Sequence, residues 1–356
     1  MEKIRMSKKR IAYIDILKFL GIALLLFEHT GNWVQLGGIY NPIKVWICSF
    51  HMPLFFIAYG MVVRNCSFKV KNLNEVLVFL EKRFVGLIIP YFLWCCIYTS
   101  NYGVDFFKGV AYGTNPSLGI AGTNQVLWFL PAIFLATLIY QLLLVLSTKI
   151  NGRNVIVYWG VSMLLCGGIS LLLKKFTPEW GWWFGLDIAF SGCVFMISGR
   201  YLRKIVDWLE QRNEKIVVLV AIVLLIIGVK CAWHNEPVES WVTIMACGIY
   251  GKNYILFILG ACINTLAIAL VGGVIAKKDR ILAWIGENSL IIMAIHYIIF
   301  PYSINICNTY LSEIYWNQHC ISNILIPLGN VIITCLVCIP IIFFVNRYMP
   351  ILKGKR

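Results

Sequence analysis

Residues 13–32 read YIDILKFLGIALLLFEHTGN. A run of this length and apolar character can cross a bilayer, which takes about 20 residues as a helix. Yet it holds Asp15, Lys18, Glu28 and His29. A charged group at the centre of a span costs about 2.5–3.5 kcal/mol on insertion scales, so ionisable residues kept there mark a functional site by default. The other apolar segments are nearly free of charge. The span is therefore read as the functional core, with the rest of the chain as the wall around it.

The composition agrees with a membrane protein. Of 356 residues, 60% are hydrophobic and 13% charged, against about 25% charged in soluble chains. The apolar segments are continuous, whereas a transmembrane barrel alternates over about ten residues. The expected fold class is an all-α polytopic membrane protein, one domain over residues 1–356. Residues 1–10 are basic, but the run after them is too long and too charged for a secretory signal. Ten spans are expected, near 14–33, 43–63, 84–102, 125–146, 155–173, 183–199, 216–233, 254–276, 289–307 and 321–345.

Charge sets the expected orientation. With the N-terminus inside, the inner segments hold 24 of the 31 Lys and Arg and the outer segments six, with Lys18 inside the first span. That asymmetry is the positive-inside pattern, with both termini in the cytoplasm. The net charge of +15 is thus accounted for by membrane topology and does not call for a nucleic-acid partner. The 13 cysteines are scattered, and the lone Cys335-x-x-Cys338 sits inside the last span. Buried free cysteine usually serves as a small hydrophobe, so no metal site is expected. Cys307 and Cys320 fall in one expected outer loop, where a disulfide stays open. The loop 101–124, rich in Gly, Asn and Tyr, is expected over an outer opening, and Trp180, Trp182 and Trp183 at an interface. Residues 74–83 carry Val76, Leu77 and Leu80 among Glu75, Glu81, Lys82 and Arg83, a pattern expected of a surface helix.

At 100° and 1.5 Å per residue, Lys18 and His29 lie about 20° apart in rotation and about 16–17 Å apart along the axis. Asp15 falls on the same stripe, and Glu28 points about 80–100° away. The spacing is comparable to an extended pantetheine arm, with a cation to hold a diphosphate at one end and an imidazole at the other. Histidine suits a base that takes a hydroxyl proton and returns it. A structural account exists for each residue alone: Lys18 snorkelling, Asp15 pairing with it, His29 bonding a neighbouring helix. Asp15, Lys18 and His29 on one face favour function.

These residues resemble the acyltransferase family 3 membrane O-acyltransferases, whose first span carries Arg or Lys, ten residues, then His. The Lys form after Tyr-Ile-Asp is similar to the branch called fucose 4-O-acetylase-like. FHMPLFF at 50–56, LWFLPA at 127–132, GENSL at 286–290 leading to His296, and Lys82-Arg83-Phe84 before Ile89-Pro90-Tyr91 fit the same branch. One departure is Glu28, where a small residue is common. The resemblance implies a ten-helix enzyme of the cytoplasmic (inner) cell membrane. It would move an acyl group, usually acetyl, from acyl-CoA (acetyl-CoA) as donor substrate to a hydroxyl of an envelope or exopolysaccharide sugar, often lipid-linked.

His29 is then expected as the base or transient acyl carrier, with Asp15 setting the entrance electrostatics. Lys18, Arg64, Lys82 and Arg83 are expected to bind the coenzyme A phosphates. Glu28, His51, Trp128, Asn288, Ser289 and His296 are expected around the acceptor. For Arg64, Lys82 and Arg83 ordinary inner-loop charge is an equal account; for His51 and Trp128 it is interfacial placement, and for Asn288 and Ser289 a helix cap. A secondary transporter or lipid-linked glycan flippase is the alternative, although neither internal symmetry nor paired broken helices is evident. A structural or sensory protein would leave the Asp15–Lys18–His29 stripe unexplained.

Overall fold

The computed structural model describes residues 12–68, 72–98, 103–113, 125–178, 181–238, 240–277, 279–316 and 322–355. The basic segment 1–10, most of the loop 101–124, Trp180 and the Cys307–Cys320 pairing lie outside the described residues.

The ionisable first span is helix α1, Ala12–Thr30. Helices α2 (Tyr40–Cys48), α3 (His51–Val62), α4 (Leu73–Arg83), α5 (Ile89–Tyr98) and α6 (Val104–Tyr112) follow, with a π-turn over Phe84–Ile88 joining α4 to α5. Then come α7 (Phe129–Ser147, after a 3-10 turn at Gln125–Trp128), α8 (Asn154–Lys175), α9 (Leu186–Leu209) and α10 (Glu214–His234). The last are α11 (Tyr254–Ala276), α12 (Ile281–Glu287), α13 (Ser289–Trp316) and α14 (Ser322–Tyr348). No strand forms among the described residues beyond an isolated bridge between Ile244 and Ile249.

Among the described residues, seven stretches are long and apolar enough to cross a membrane. The other three expected spans correspond to α1, to the π-turn with α5, and to α9, which carries Asp187 and runs on past the expected span through Arg200 and Arg203. Helix α1 is at the centre of the bundle, packed by α3, α11, α12, α13 and α14. Ile16, Leu17 and Leu26 on it are fully buried. Helices α8 and α10 are peripheral: Leu164 is 78% exposed and Leu219 62%. Large apolar faces turned outward along whole helices find their solvent in lipid. This is an all-α polytopic membrane protein.

Several boundaries differ from the sequence reading. The expected span 43–63 breaks at Ser49–Phe50. Pro53 explains it, because a proline ring clashes with the carbonyl four residues before it, here that of Ser49. Helix α9 starts only after Phe184, which takes a left-handed φ of 53°, and runs on to Leu209 through residues read as inner loop. Helix α13 continues through Pro301 to Trp316 in place of an outer loop beginning at 308. The amphipathic segment is helical, with Leu73, Leu77, Leu80 and Phe84 exposed along one side.

Close packing of α3 on α9 depends on two glycines. A Cβ on Gly60 would fall inside the van der Waals shell of the Met196 carbonyl, and one on Gly199 would meet the Ile57 carbonyl. Backbone on both sides leaves nothing flexible to yield. Gly60→Ala is therefore expected to destabilise the bundle by about 3 kcal/mol or more, the upper end of overpacking costs. Thermal unfolding in detergent, followed by the loss of monodisperse protein, measures it; an unchanged midpoint would refute the close approach.

Candidate active site

Beyond α1 the chain turns at residues 31–34 and returns as α2, while Pro53 separates α2 from α3. These two local events place Lys44 and His51 beside the end of α1. The Glu28 carboxylate lies 3.1 Å through Oε1 from the Lys44 ammonium and 3.2 Å through Oε2 from His29 Nε2. Lys44 also donates to Asn32 Oδ1 at 3.0 Å. Glu28 and Lys44 are each only 6% exposed. Side chains of these types are seldom buried unless paired. Tyr40 fixes the same end of α1: its hydroxyl donates to the Glu28 carbonyl and accepts from the Gly31 amide.

His29 meets α13 on its other side. Its Nδ1 is 3.0 Å from His296 Nε2, and His296 Nδ1 is 2.7 Å from the Met293 carbonyl. A carbonyl only accepts, so His296 carries its proton on Nδ1. With both rings neutral, His296 Nε2 then accepts from His29 Nδ1–H. His29 Nε2 is left with the free electron pair, beside the Glu28 oxygen. Protonated, Nε2 donates to that oxygen at 3.2 Å; unprotonated, it is open to a substrate hydroxyl. His296 is fully buried, and Tyr297 lies 5.4 Å from the His29 ring centroid. Asn330 ties the end of α1 to α14 by donating to Thr30 Oγ1 at 2.8 Å.

Two cavities lie along α1. The first, about 310 Å³, is lined by Glu28, His29, Lys44, His51, Trp128 and Trp241, among others. Residues 240–246 close one side of it. The second, about 370 Å³, is more apolar and is lined by Lys18, Arg83, Tyr59 and Ser289 with aliphatic and Phe side chains. Lys18 Nζ is 2.8 Å from Asp15 Oδ1. The Arg83 guanidinium stacks over the Tyr59 and Phe79 rings at 5.4 and 5.3 Å. Its buried Nε has no hydrogen-bond partner among the described residues.

The expected site residues are thus divided between two chambers. Glu28, His29, His51 and Trp128 surround the first, with His296 behind His29. Lys18 and Arg83 share the second with Ser289, which the sequence had grouped with the acceptor residues. Lys82 lines a neighbouring cleft with Arg83 and Asn74. Arg64 lines neither chamber, and its carbonyl accepts from Arg200. Asn288 ends α12, donates to the Trp284 carbonyl, and accepts from Asn346 and Lys353, so it braces the chain's C-terminal end. Asp15 stays with Lys18, far from His29.

Sequence reading missed Lys44, Asn32, Trp241, Tyr297 and Met293. Lys44 is one of the six cations that the charge asymmetry assigns to the outer segments; its position just inside an apolar run is the only sign that it is buried. The segment 240–246 carries no motif, and nothing in its order of residues shows that it folds against α2.

The chain has no match among curated proteins. The family model described as "Acyltransferase domain", that of acyltransferase family 3, matches residues 11–345. The match runs from the start of α1 nearly to the end of α14, taking in both chambers and every helix between them. The protein therefore belongs to the acyltransferase family 3 and is a multi-pass membrane acyltransferase.

Proposed function

We propose that the protein transfers an acyl group, in the simplest case acetyl, from acyl-CoA to a sugar hydroxyl of an envelope glycan, exopolysaccharide or lipid-linked precursor. The observation that carries this reading is the hydrogen-bonded line from the Met293 carbonyl through His296 to His29, which leaves Nε2 as a base facing a polar chamber. The second chamber, lined by Arg83 and by Lys18, which stands about 16–17 Å along α1 from His29, suits the phosphates of the donor. The charge asymmetry of the loops favours the Lys18 end as cytoplasmic. Trp128 and Trp241 offer apolar ring faces to a pyranose.

In this mechanism the acceptor hydroxyl donates to His29 Nε2. Its oxygen attacks the thioester carbon, the C–O bond forms, and the proton moves to Nε2. The imidazolium is met by the Glu28 carboxylate, itself held by Lys44. The C–S bond then breaks and the proton passes to the leaving thiolate, so ester and free CoA result. Asp15 holds Lys18 in place at the donor end. Membrane lipid surrounds the bundle and supplies the route for a lipid-linked acceptor.

Purified protein given radiolabelled acetyl-CoA and a membrane glycan extract is expected to move label into the glycan. A transporter or flippase would move none. Absence of transfer, together with unchanged envelope-glycan masses in cells lacking the protein, overturns the proposal. Arg83→Ala tests the donor chamber: charge-assisted hydrogen bonds contribute about 1.5–3 kcal/mol, so KM for acyl-CoA should rise about 10–100-fold with kcat little changed. A fall in kcat alone would remove Arg83 from the donor site.

A further inference from the structure

The two chambers meet at one residue. Among the described residues Met293 lines both of them. Elsewhere the wall passes from one chamber to the other within a single helical turn. On α1, Leu25 faces the first and Ile22 the second; on α3 the change falls between Met52 and Phe55. Trp128 and Phe129 divide in the same way where the 3-10 turn runs into α7. Three residues of helix rise about 4.5 Å, so the partition is about one turn thick and Met293 stands in it.

Resting on the acyltransferase reading above, we propose that the Met293 side chain is a gate between the chambers, one that sets the longest acyl group able to reach His29. The backbone of Met293 has a separate task, since its carbonyl holds His296 Nδ1 at 2.7 Å. The side chain can therefore move while the His296–His29 line stays fixed. Methionine suits the position: it is unbranched, has three rotatable bonds and fills irregular gaps. A thioester arm reaching from Lys18 towards His29 has to displace it. When the gate is shut, it also separates the thioester from water in the polar chamber. Water entering as acceptor would form the C–O bond to the acyl carbon as the C–S bond broke. Its proton would pass through His29 Nε2 to the thiolate, giving free acid and CoA.

The test is Met293→Ala in the full-length protein in detergent or nanodiscs, with acetyl-, butyryl- and hexanoyl-CoA. Transfer to glycan and release of CoA without acceptor are both measured. The expected results are a rise of about tenfold or more in the butyryl-to-acetyl ratio of kcat/KM, the scale on which one or two methylenes discriminate in a pocket, and faster acceptor-independent CoA release. Met293→Leu, close in volume, should keep the wild-type ratio. If Met293→Ala does not fold, Met293→Val reads the same ratio. Unchanged ratios and CoA release in a folded Met293→Ala or Met293→Val protein overturn the gate while wild-type transfer still stands. A wild-type protein that transfers no acyl group overturns the gate together with the function on which it rests.

Discussion

His29→Ala is expected to lower acyl transfer by about 10²–10⁴-fold, the range contributed by a positioned general base, while leaving the fold intact. His29 is partly open to the chamber, with its side chain 16% exposed, so removing the ring empties space next to an existing cavity rather than inside the packed core. Donor binding should persist, because Lys18 and Arg83 belong to the other chamber. The split to look for is a large loss in kcat with KM for acyl-CoA nearly constant. His296→Phe supplies the companion result. It keeps an aromatic ring at a fully buried position but removes the acceptor for His29 Nδ1–H. The tautomer that leaves Nε2 free is then no longer favoured, and activity should fall with it. Isotope-labelled histidine, read by nitrogen NMR in the detergent-solubilised protein, reports which ring nitrogen carries the proton. Full activity in folded His29→Ala protein would end the proposed mechanism.

Lys44→Met is expected to destabilise the protein by about 3–5 kcal/mol, because it leaves the Glu28 carboxylate buried without its counter-ion. The same substitution made together with Glu28→Gln should recover most of that loss. The pair Glu28→Gln/Lys44→Met has no buried charge to strand, and replacing both partners of a buried pair is often close to neutral. Transfer activity should stay low in the double variant, since the developing His29 imidazolium would lack its carboxylate. Thermal unfolding of the two single variants and the double variant gives the coupling; activity on the same samples separates stability from chemistry. Equal stability of Lys44→Met and wild type would show that the pair is solvated rather than buried.

The first span announced itself in the sequence because the cost of charge in lipid makes Asp15, Lys18 and His29 conspicuous. Helical periodicity alone placed them on one stripe and set their separation, since α1 runs without a break from Ala12 to Thr30. Glu28 could be seen to lie off that stripe, but its partner could not be found. Lys44 comes 16 residues later and reaches it only because the chain reverses at residues 31–39. His296 stood out as a histidine in an apolar span; that it touches His29 is a contact across 267 residues. That Ser289 lines the second chamber, apart from His51 and Trp128, was hidden for the same reason. Which chamber a residue of α13 faces depends on its level along α1, and no local pattern encodes that level.

Apolar length, charge asymmetry and the spacing of Lys18 and His29 are local properties, and from them the sequence alone determined a helical membrane protein with an ionisable core helix. Packing decided the rest. It buried Lys44 against Glu28, set His296 beside His29 Nδ1, and divided the interior into two chambers at Met293. Each of these depends on side chains brought together from distant helices, where the close-packing of shapes rather than the order of residues fixes who meets whom.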